Sequence, residues 1–219
     1  MSDVVIFGVG DFARVARIYL AEDSPHDVVA FTANESFIEN DELEGLPVLS
    51  FESLLGTHPP DRFAMFVAIG FSRVNETRRE VYEQCRELGY ELISYVNSKA
   101  TYWGELQLGD NCFVFEENVI QPNVRIGNNV ILWSGNHIGH DSTIEDHVFI
   151  ASHAVISGNV TIGDSSFVGV NATFRDGIAV APRSVIGAGA LIMKDTKPKE
   201  VYLGERTKPF AKNSDDINL

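Results

Sequence analysis

One histidine in the sequence has the spacing that acyl-transfer chemistry would need. His140 is followed eighteen residues later by Gly158. If eighteen residues form one turn of a stacked structure, Gly158 lies directly over His140, and its N–H has no side chain in the way. An imidazole can take the proton from an attacking amine or hydroxyl, and an amide can hold the oxyanion formed from a thioester carbonyl. The pair therefore fits general-base acyl transfer, and a surface histidine without a catalytic role is the alternative interpretation of the same residue.

The same region permits a second interpretation, a metal site. His137, His147 and His153 lie close to His140 in the sequence. A catalytic zinc takes three converging protein ligands and keeps a fourth position open. No two of these histidines are eighteen residues apart, so the repeat does not stack them on one another. We therefore expect no metal cofactor.

The stacking comes from a repeat of six residues. Every sixth residue from Leu108 to Ile192 is apolar without a break, and glycine often follows it. A period of six fits neither a helix nor a simple strand, whereas hexapeptide repeats are typical of a β-helix. Three hexads make one triangular coil, so the fifteen hexads predict five coils. At one strand spacing per coil, the prism would be about 24 Å tall.

A different pattern precedes the repeat. An apolar strand over residues 4–7 runs into Gly8-Val9-Gly10, and a helix is predicted from Phe12. Alternating apolar strands and helices continue to residue 97, which predicts a small parallel α/β domain. Backbone amides at such a first turn can hold a phosphate. We therefore assign residues 1–97 to an α/β domain and residues 98–219 to a β-helix with a C-terminal tail.

Composition narrows the function classes. The net charge of −14 argues against nucleic acid or an anionic membrane as the main partner. Cys85 and Cys112 have no metal-type spacing and are expected to be reduced thiols. We find neither a signal peptide nor an apolar run of about 18 residues. These features predict a cytoplasmic protein.

The motifs resemble those of a known family. The runs Ile-Gly-His-Asp-Ser at 138–142, Ser-Gly-Asn-Val at 157–160 and Phe-Val-Gly-Val-Asn-Ala at 167–172 are similar to the active-site run of bacterial nucleotide-sugar N-acetyltransferases. These belong to a wider group of hexapeptide-repeat acyltransferases that includes NeuD-like sugar O-acyltransferases. The resemblance implies a small Rossmann-like N-terminal domain followed by a left-handed parallel β-helix. It also implies acetyl-CoA as acyl donor and a homotrimer whose coenzyme A groove lies between subunits.

The resemblance also implies roles for individual residues. His140 would be the general base, Asp141 its acidic neighbour, and Gly158 the oxyanion amide beside the cofactor. Neighbours on a strand point to opposite faces, so a His140–Asp141 hydrogen bond requires a corner or a bend. The tail is basic on an acidic protein, and coenzyme A carries phosphates. The expected cofactor contacts besides Gly158 are Val170, Gly187, Ala188, Gly189, Lys194 and Arg206.

The N-terminal domain would hold the nucleotide-sugar, and here the sequence departs from the family. Relatives commonly have Gly-His in place of Asp11-Phe12, paired Asp in place of Ala33-Asn34, and Asn in place of Trp133. These departures leave the nucleotide and the sugar open. The candidate substrate contacts are Gly8, Gly10, Asp11, Phe12, Ala33, Asn34, Gly70, Trp133, Asn136 and His137.

We therefore predict an acetyl-CoA-dependent enzyme that acetylates the amino group of a nucleotide-linked aminodeoxysugar made for a surface glycan. The amine would attack the thioester directly, without a covalent enzyme intermediate. The nearest alternative is O-acetylation of a sugar hydroxyl. A metal enzyme of the γ-carbonic-anhydrase type and a non-catalytic nucleotide-sugar binder are the remaining alternatives.

Overall fold

The computed structural model describes residues 2–209, Ala211 and Asp215. An α/β domain comes first. Its elements are β1 (Asp3–Phe7), α1 (Asp11–Asp23), β2 (Asp27–Ala33), a 3-10 turn (Glu35–Phe37), β3 (Glu42–Leu43), β4 (Leu46–Ser50), a 3-10 helix (Phe51–Gly56), β5 (Ala64–Val67) and α2 (Glu76–Glu87).

The sheet of this domain has the order β3-β4-β2-β1-β5. Its strands are parallel except β3, which pairs with β4 as an antiparallel hairpin. Strand β1 has β2 on one side and β5 on the other, so the chain order reverses there. Open α/β sheets bind ligands in the crevice beyond the carboxyl ends of strands at such a switch point.

Eighteen two-residue strands follow and form the three faces of a prism. Face 1 contains β6 (Tyr95–Val96), β9 (Phe113–Val114), β12 (Ile131–Leu132), β15 (Phe149–Ile150), β18 (Phe167–Val168), β21 (Val185–Ile186) and β23 (Val201–Tyr202). Face 2 contains β7 (Thr101–Tyr102), β10 (Val119–Ile120), β13 (His137–Ile138), β16 (Val155–Ile156), β19 (Thr173–Phe174) and β22 (Leu191–Ile192). Face 3 contains β8 (Gln107–Leu108), β11 (Arg125–Ile126), β14 (Thr143–Ile144), β17 (Thr161–Ile162) and β20 (Ala179–Val180).

The register is eighteen residues per coil, as the hexad pattern predicted. His137 pairs with Val155, for example, and Ile138 with Ile156. The apolar residue of each hexad points inward, and together these residues form one continuous core. The stack has six coils rather than the predicted five, because Val96 and Tyr102 extend the hexad register towards the N-terminus and β23 pairs with β21 after a loop.

Each coil turns at three corners, defined here by the faces they join. Each corner is a stack of four-residue segments spaced eighteen residues apart. The first and last segments are 115–118 and 187–190 for the 1/2 corner, 121–124 and 193–196 for the 2/3 corner, and 109–112 and 181–184 for the 3/1 corner. Corner residues such as Asn111, Asn129 and Asp141 have positive φ. Asn and Asp tolerate this left-handed region better than most residues, which explains their frequency at the corners.

The α/β domain packs against face 1. The first residue of each central face-1 strand is large and apolar, and it clusters with side chains of β1, β5 and α1. These outward residues are Phe113, Ile131, Phe149 and Phe167. Because face 1 is covered, the 2/3 corner is the corner of the prism opposite the α/β domain.

A buried arginine reinforces this packing. Arg78 of α2 donates hydrogen bonds to the carbonyl oxygens of Gly70 at 2.9 Å and His147 at 2.7 Å. It is fully buried, and burial lowers the pKa of its guanidinium to about 9. Both Nη atoms of Arg78 donate to backbone carbonyls, which holds α2 in one position on the 3/1 corner. Its buried Nε has no hydrogen-bond partner among the described residues.

The chain changes its hydrogen-bond partners from the α/β sheet to the prism within a few residues. Leu92 bridges to Met65 beside the α/β sheet, whereas Tyr95 already pairs with Phe113 in the prism. This change falls just before residue 97. The division into domains at residue 97 stays a prediction. Within the described part of the chain, no helix combines the length and apolar character needed to cross a bilayer.

Candidate active site

His140 lies on the 2/3 corner, between β13 and β14. Its side chain is 53% exposed, and its Nδ1 lies 2.8 Å from Asp141 Oδ2. Asp141 has φ of 59°, which places it at a left-handed bend where the alternation of a strand is broken. The bend that a hydrogen bond between these neighbours requires is therefore present. Asn123 Nδ2 donates to the other oxygen of Asp141 at 2.9 Å, which orients the carboxylate.

The interaction of His140 with Asp141 determines which nitrogen of the imidazole carries the proton. The hydrogen bond from His140, followed by that from Asn123, lowers the pKa of Asp141 below its ordinary value. The carboxylate is therefore ionised at neutral pH and accepts a hydrogen bond from the Nδ1–H of His140. In a neutral imidazole with Nδ1 protonated, Nε2 is the acceptor. The ring is thus arranged to take a proton at Nε2.

Nε2 lies over Gly158. A Cβ built on Gly158 would be 2.7 Å from both Cε1 and Nε2 of His140, so a side chain at 158 would displace the ring. Within residues 2–209, no protein acceptor takes a hydrogen bond from the Gly158 N–H. The structure thus brings together the imidazole and the bare amide that the spacing predicted. Their catalytic roles stay predictions.

A second glycine allows this close approach. A Cβ on Gly139 would lie 2.5 Å from Gly158 N and 2.7 Å from Ser157 O. Real side chains do not tolerate such contacts with backbone atoms, so a larger residue at 139 would push the two coils apart. Gly139 therefore sets the distance between the coil that carries His140 and the coil that carries Gly158.

Sequence reasoning missed one charged residue at this corner. Asp176 follows Gly158 by eighteen residues, and its Oδ1 lies 3.0 Å from the position of the same hypothetical Cβ. His140 and Asp176 therefore converge on Gly158 from the coils on either side of it. The signal was available, because the spacing that pairs His140 with Gly158 pairs Gly158 with Asp176. Lys194 occupies the next position of this column.

The predicted coenzyme A contacts lie mostly at another corner. Val170 and the segment 187–189 belong to the 1/2 corner, where Gly189 N donates to Val170 O at 2.8 Å. Val170 and Gly189 are exposed. Face 2 separates them from His140 within one chain. Lys194 is exposed on the 2/3 corner, and Arg206 is exposed beyond β23.

The predicted nucleotide contacts at the ends of β1 and β2 border two adjoining cavities. Gly8, Ala33 and Asn34 line a cavity of about 330 Å³, and Gly10 lines one of about 240 Å³. Gly8 has φ of 137°, and a Cβ there would lie 2.7 Å from Ala68 O. Glycine is therefore required for this turn.

The next two residues of this turn differ in their surroundings. Asp11 is exposed and lies 3.5 Å from Arg14. The ring of Phe12 packs instead against Phe113 and Trp133 at the domain interface. Phe12 is half-buried in this aromatic cluster, and a ligand contact from its backbone amide stays a prediction. The carbonyl of Gly70 accepts a hydrogen bond from Arg78. Gly70 therefore takes part in the packing of α2.

The structure changes the interpretation of two further predicted substrate contacts, Asn136 and Trp133. Asn136 is buried inside the prism, where it donates to Asn118 and the carbonyl of Trp133 and accepts from Ala154 N. The prediction that it shapes an acceptor pocket is not supported, because its polar atoms are satisfied internally. Trp133 stacks on Phe115 with 4.4 Å between ring centroids and lies beneath the α/β domain, away from His140 of the same chain. His137 lies on face 2, half-buried.

The four histidines of the repeat do not converge. His147 is buried at the 3/1 corner, where Nδ1 lies 2.9 Å from Asn129 Nδ2, and burial lowers its pKa. His153 lies on the 1/2 corner, with its ring over Gly135. In the described part of the chain, no group of three or more His, Cys, Asp or Glu side chains has the geometry of a metal site.

Comparison with known proteins agrees with this architecture. Residues 124–158 match the model of the family "Bacterial transferase hexapeptide (six repeats)". No curated protein matches the chain. Among solved structures, the acetyltransferase domain of PglB from Neisseria gonorrhoeae is 25% identical, with a TM-score of 0.81. The match covers 96% of this chain and 100% of that domain.

Two further structures share the fold along nearly the whole chain. Perosamine N-acetyltransferase from Caulobacter crescentus, solved as a variant with CoA and GDP-perosamine, is 22% identical with a TM-score of 0.83. That match covers 93% of this chain and 94% of the enzyme. WeeI from Acinetobacter baumannii is 19% identical with a TM-score of 0.66, covering 88% of this chain and 94% of WeeI.

The repeat, the prism and these matches define a left-handed β-helix protein of the hexapeptide-repeat class, and the predicted fold class is confirmed. Within that class, the chain is an acyltransferase that resembles sugar N-acetyltransferases carrying a small N-terminal α/β domain.

Proposed function

We propose that this protein transfers the acetyl group of acetyl-CoA to the amino group of a nucleotide-linked aminodeoxysugar. The observation that carries the proposal is the arrangement of His140, with Nδ1 on Asp141 and Nε2 over Gly158. Perosamine N-acetyltransferase, which shares the fold, is solved with CoA and GDP-perosamine, and the PglB domain is solved with acetyl coenzyme A. Both ligand classes match those that the sequence predicted.

The chemistry assigned to each group follows from its position. Nε2 of His140 takes a proton from the sugar amine as the amine attacks the thioester carbonyl. Asp141 stabilises the imidazolium that forms. The Gly158 N–H donates to the carbonyl oxygen as it gains negative charge. The tetrahedral intermediate then expels the CoA thiolate, so no acyl-enzyme is needed.

One chain does not contain the whole site. The nucleotide cavities belong to the α/β domain on face 1, whereas His140 is on the opposite 2/3 corner. Val170 and Gly189, at the other edge of face 2, are candidates for the pantetheine groove. Face 2 is not covered by the α/β domain, and its outward residues Val155 and Leu191 are exposed and apolar. We therefore propose a homotrimer in which His140 of one subunit meets the cofactor groove and the nucleotide cavity of another.

This assignment places the enzyme in the cytoplasm, where acetyl-CoA and nucleotide-sugars are available, at a step that supplies a modified sugar for a surface glycan. Lys194 and Arg206 are the proposed partners of the coenzyme A phosphates. Both are exposed cations on a protein of strongly negative charge, and phosphate binding requires local positive charge.

The direct test is His140→Ala, assayed by release of CoA thiol with acetyl-CoA and a panel of aminosugar acceptors. We expect kcat to fall by roughly 10²–10⁴-fold, as for the loss of a general base, with little change in the KM for acetyl-CoA. His58→Ala is the matched control, because His58 lies in a loop of the α/β domain outside the cavities. Near-wild-type kcat for His140→Ala would remove His140 from this role.

The acceptor panel separates the remaining alternatives. CoA release with a nucleotide-linked aminosugar but not with its hydroxyl analogue supports N-acetylation. Release with the hydroxyl analogue alone would instead establish a sugar O-acetyltransferase. Absence of acetyl-CoA binding by calorimetry would favour a non-catalytic nucleotide-sugar binder and contradict the proposal.

A further inference from the structure

An exposed aromatic ring separates the two cavities of the α/β domain. The cavities of about 330 Å³ and 240 Å³ adjoin at the carboxyl ends of β1 and β2, and both are lined by Val9 and Phe37. Phe37 ends the 3-10 turn that follows β2 directly. The two cavities therefore lie side by side, with Val9 and the ring of Phe37 between them.

Phe37 is the most exposed aromatic side chain of the described residues. It is 69% exposed, and no aromatic ring in the described part of the chain packs on it. An exposed aromatic ring at a cavity wall is a platform on which a planar base can stack, and such stacking is tolerant of base identity. The ring contributes little to the protein core, so its placement points to a ligand.

The opposite wall of the larger cavity carries polar groups. Thr77, Glu80 and Gln84 on α2 line it, together with apolar side chains such as Ile69. Arg73 Nη1 donates to Glu80 Oε2 at 3.0 Å, and within residues 2–209 no hydrogen bond occupies Glu80 Oε1. A carboxylate accepts hydrogen bonds and donates none. The edge of a base that faces Glu80 must therefore present N–H groups.

This requirement distinguishes the nucleobases. Guanine presents N1–H and N2–H side by side, and both can donate to one carboxylate. Uracil and thymine present one N–H between two carbonyl oxygens, which a carboxylate repels. Adenine presents one amino group beside a ring nitrogen that is itself an acceptor. Cytosine, like adenine, presents one amino group beside a ring nitrogen that is an acceptor. Only guanine offers two adjacent N–H groups to one carboxylate, so Glu80 favours guanine.

We propose that Phe37 is the stacking platform for the nucleobase of the acceptor and that Glu80 selects guanine. The acceptor is then a guanosine-diphosphate-linked aminosugar. Its phosphates lie towards the smaller cavity, which Arg14 lines. This inference rests on the proposed function, because it specifies the nucleotide of that acceptor. It concerns binding in the α/β domain and does not depend on His140.

The test is calorimetric titration of the intact protein with GDP and, separately, with UDP, in the absence of acetyl-CoA. We expect the wild type to bind GDP more tightly than UDP. Phe37→Ala should weaken GDP binding about tenfold, the loss typical of one stacked base, and Phe37→Tyr should restore it. Glu80→Gln should reduce the preference for GDP over UDP by about tenfold, because a hydrogen bond to a charged group is lost.

Two control variants test whether removing any exposed apolar side chain, or any carboxylate of α2, changes GDP binding. Leu55→Ala removes another exposed apolar side chain of the same domain that lines neither cavity. Glu83→Gln neutralises the carboxylate that pairs with Arg79, on the same helix but outside the larger cavity. Both should bind GDP as the wild type does. Circular dichroism of each variant, with an unchanged melting temperature, establishes that it is folded.

The outcomes separate this inference from the proposed function. Tighter binding of UDP than GDP overturns the assignment to guanine. Binding of GDP that is insensitive to Phe37→Ala and Glu80→Gln overturns the inference and leaves acetyl transfer standing. Absence of binding by both nucleotides overturns the inference together with the nucleotide-linked acceptor, while CoA release with free aminosugars still tests the transferase.

Discussion

Replacing Gly158 by alanine tests whether the imidazole is held at its observed place for catalysis. The added Cβ would lie 2.7 Å from Cε1 and Nε2 of His140. Ordinary contact begins at about 3.4 Å, so the ring must move by at least about 0.7 Å. The ring is half exposed, so it can move outward without disturbing the core. The Gly158 N–H is retained in the variant, which leaves the proposed oxyanion donor in place.

The expected effect follows from that displacement. A misplacement of about 1 Å at a reacting group can cost about 10²-fold in rate. We therefore expect kcat of Gly158→Ala to fall about 100-fold in the CoA-release assay, with the melting temperature nearly unchanged. The imidazole is the group nearest to the added Cβ, and the exposed Asp176 Oδ1 follows at 3.0 Å. If the effect comes through the imidazole, Gly158→Ala combined with His140→Ala should be no slower than His140→Ala alone.

The matched control is Gly56→Ala, at a glycine with open space around its hypothetical Cβ and no positive φ. This control should retain wild-type kcat. If Gly158→Ala also retains wild-type kcat, the imidazole need not occupy the position seen over Gly158, and the proposed acid–base geometry is wrong. If the double variant is much slower than His140→Ala, residue 158 acts independently of the ring.

Three further predictions concern Asp176 beside Gly158 and the buried residues Arg78 and His147 at the 3/1 corner. Asp176→Asn should raise the KM for a cationic aminosugar about fivefold and leave the KM for acetyl-CoA unchanged, since a partly solvated charge pair is weak; an equal change in both would contradict a contact with the acceptor. Arg78→Met should lower the free energy of unfolding by about 3 kcal/mol, because buried carbonyls lose their donors; an unchanged urea midpoint would show that α2 needs no such support. Burial lowers the pKa of His147, so the unfolded chain binds more protons and stability should decline as the pH falls below about 6.5. Urea titrations at several pH values should show this decline reduced in His147→Gln.

The β-helix was readable from the sequence because its repeat is local. Each inward residue meets the residue eighteen positions away, so one period specifies the strand positions, the corners and the neighbours of every coil. The pairing of His140 with Gly158, and the overlooked approach of Asp176, follow from the same arithmetic. The left-handed bend at Asp141 also belongs to this pattern, because corner positions recur in every hexad.

Residues with partners outside the repeat were harder to assign. Asn136 was predicted to contact the acceptor because it is close to His140 in sequence, but four residues along the chain carry it to the far edge of face 2. There it bonds to Asn118 and to the backbone. Phe12 was predicted for its backbone amide at a helix N-terminus, and that role stays a prediction. The packing of its ring against aromatic side chains of the prism could not be read from the sequence. Phe37 and Glu80 were not singled out, because their significance depends on a cavity between a turn and a distant helix.

The sequence by itself determined the β-helix, its register and the pair His140–Gly158, since these depend on contacts between adjacent coils and a fixed period describes them all. Only the tertiary structure showed that the α/β domain covers face 1, that His140 lies on the opposite corner, and that Phe37 faces α2 across a cavity. Those relations arise from the fit of surfaces between elements distant in the chain. No local period encodes such a fit, because each contact depends on the shape of both partners.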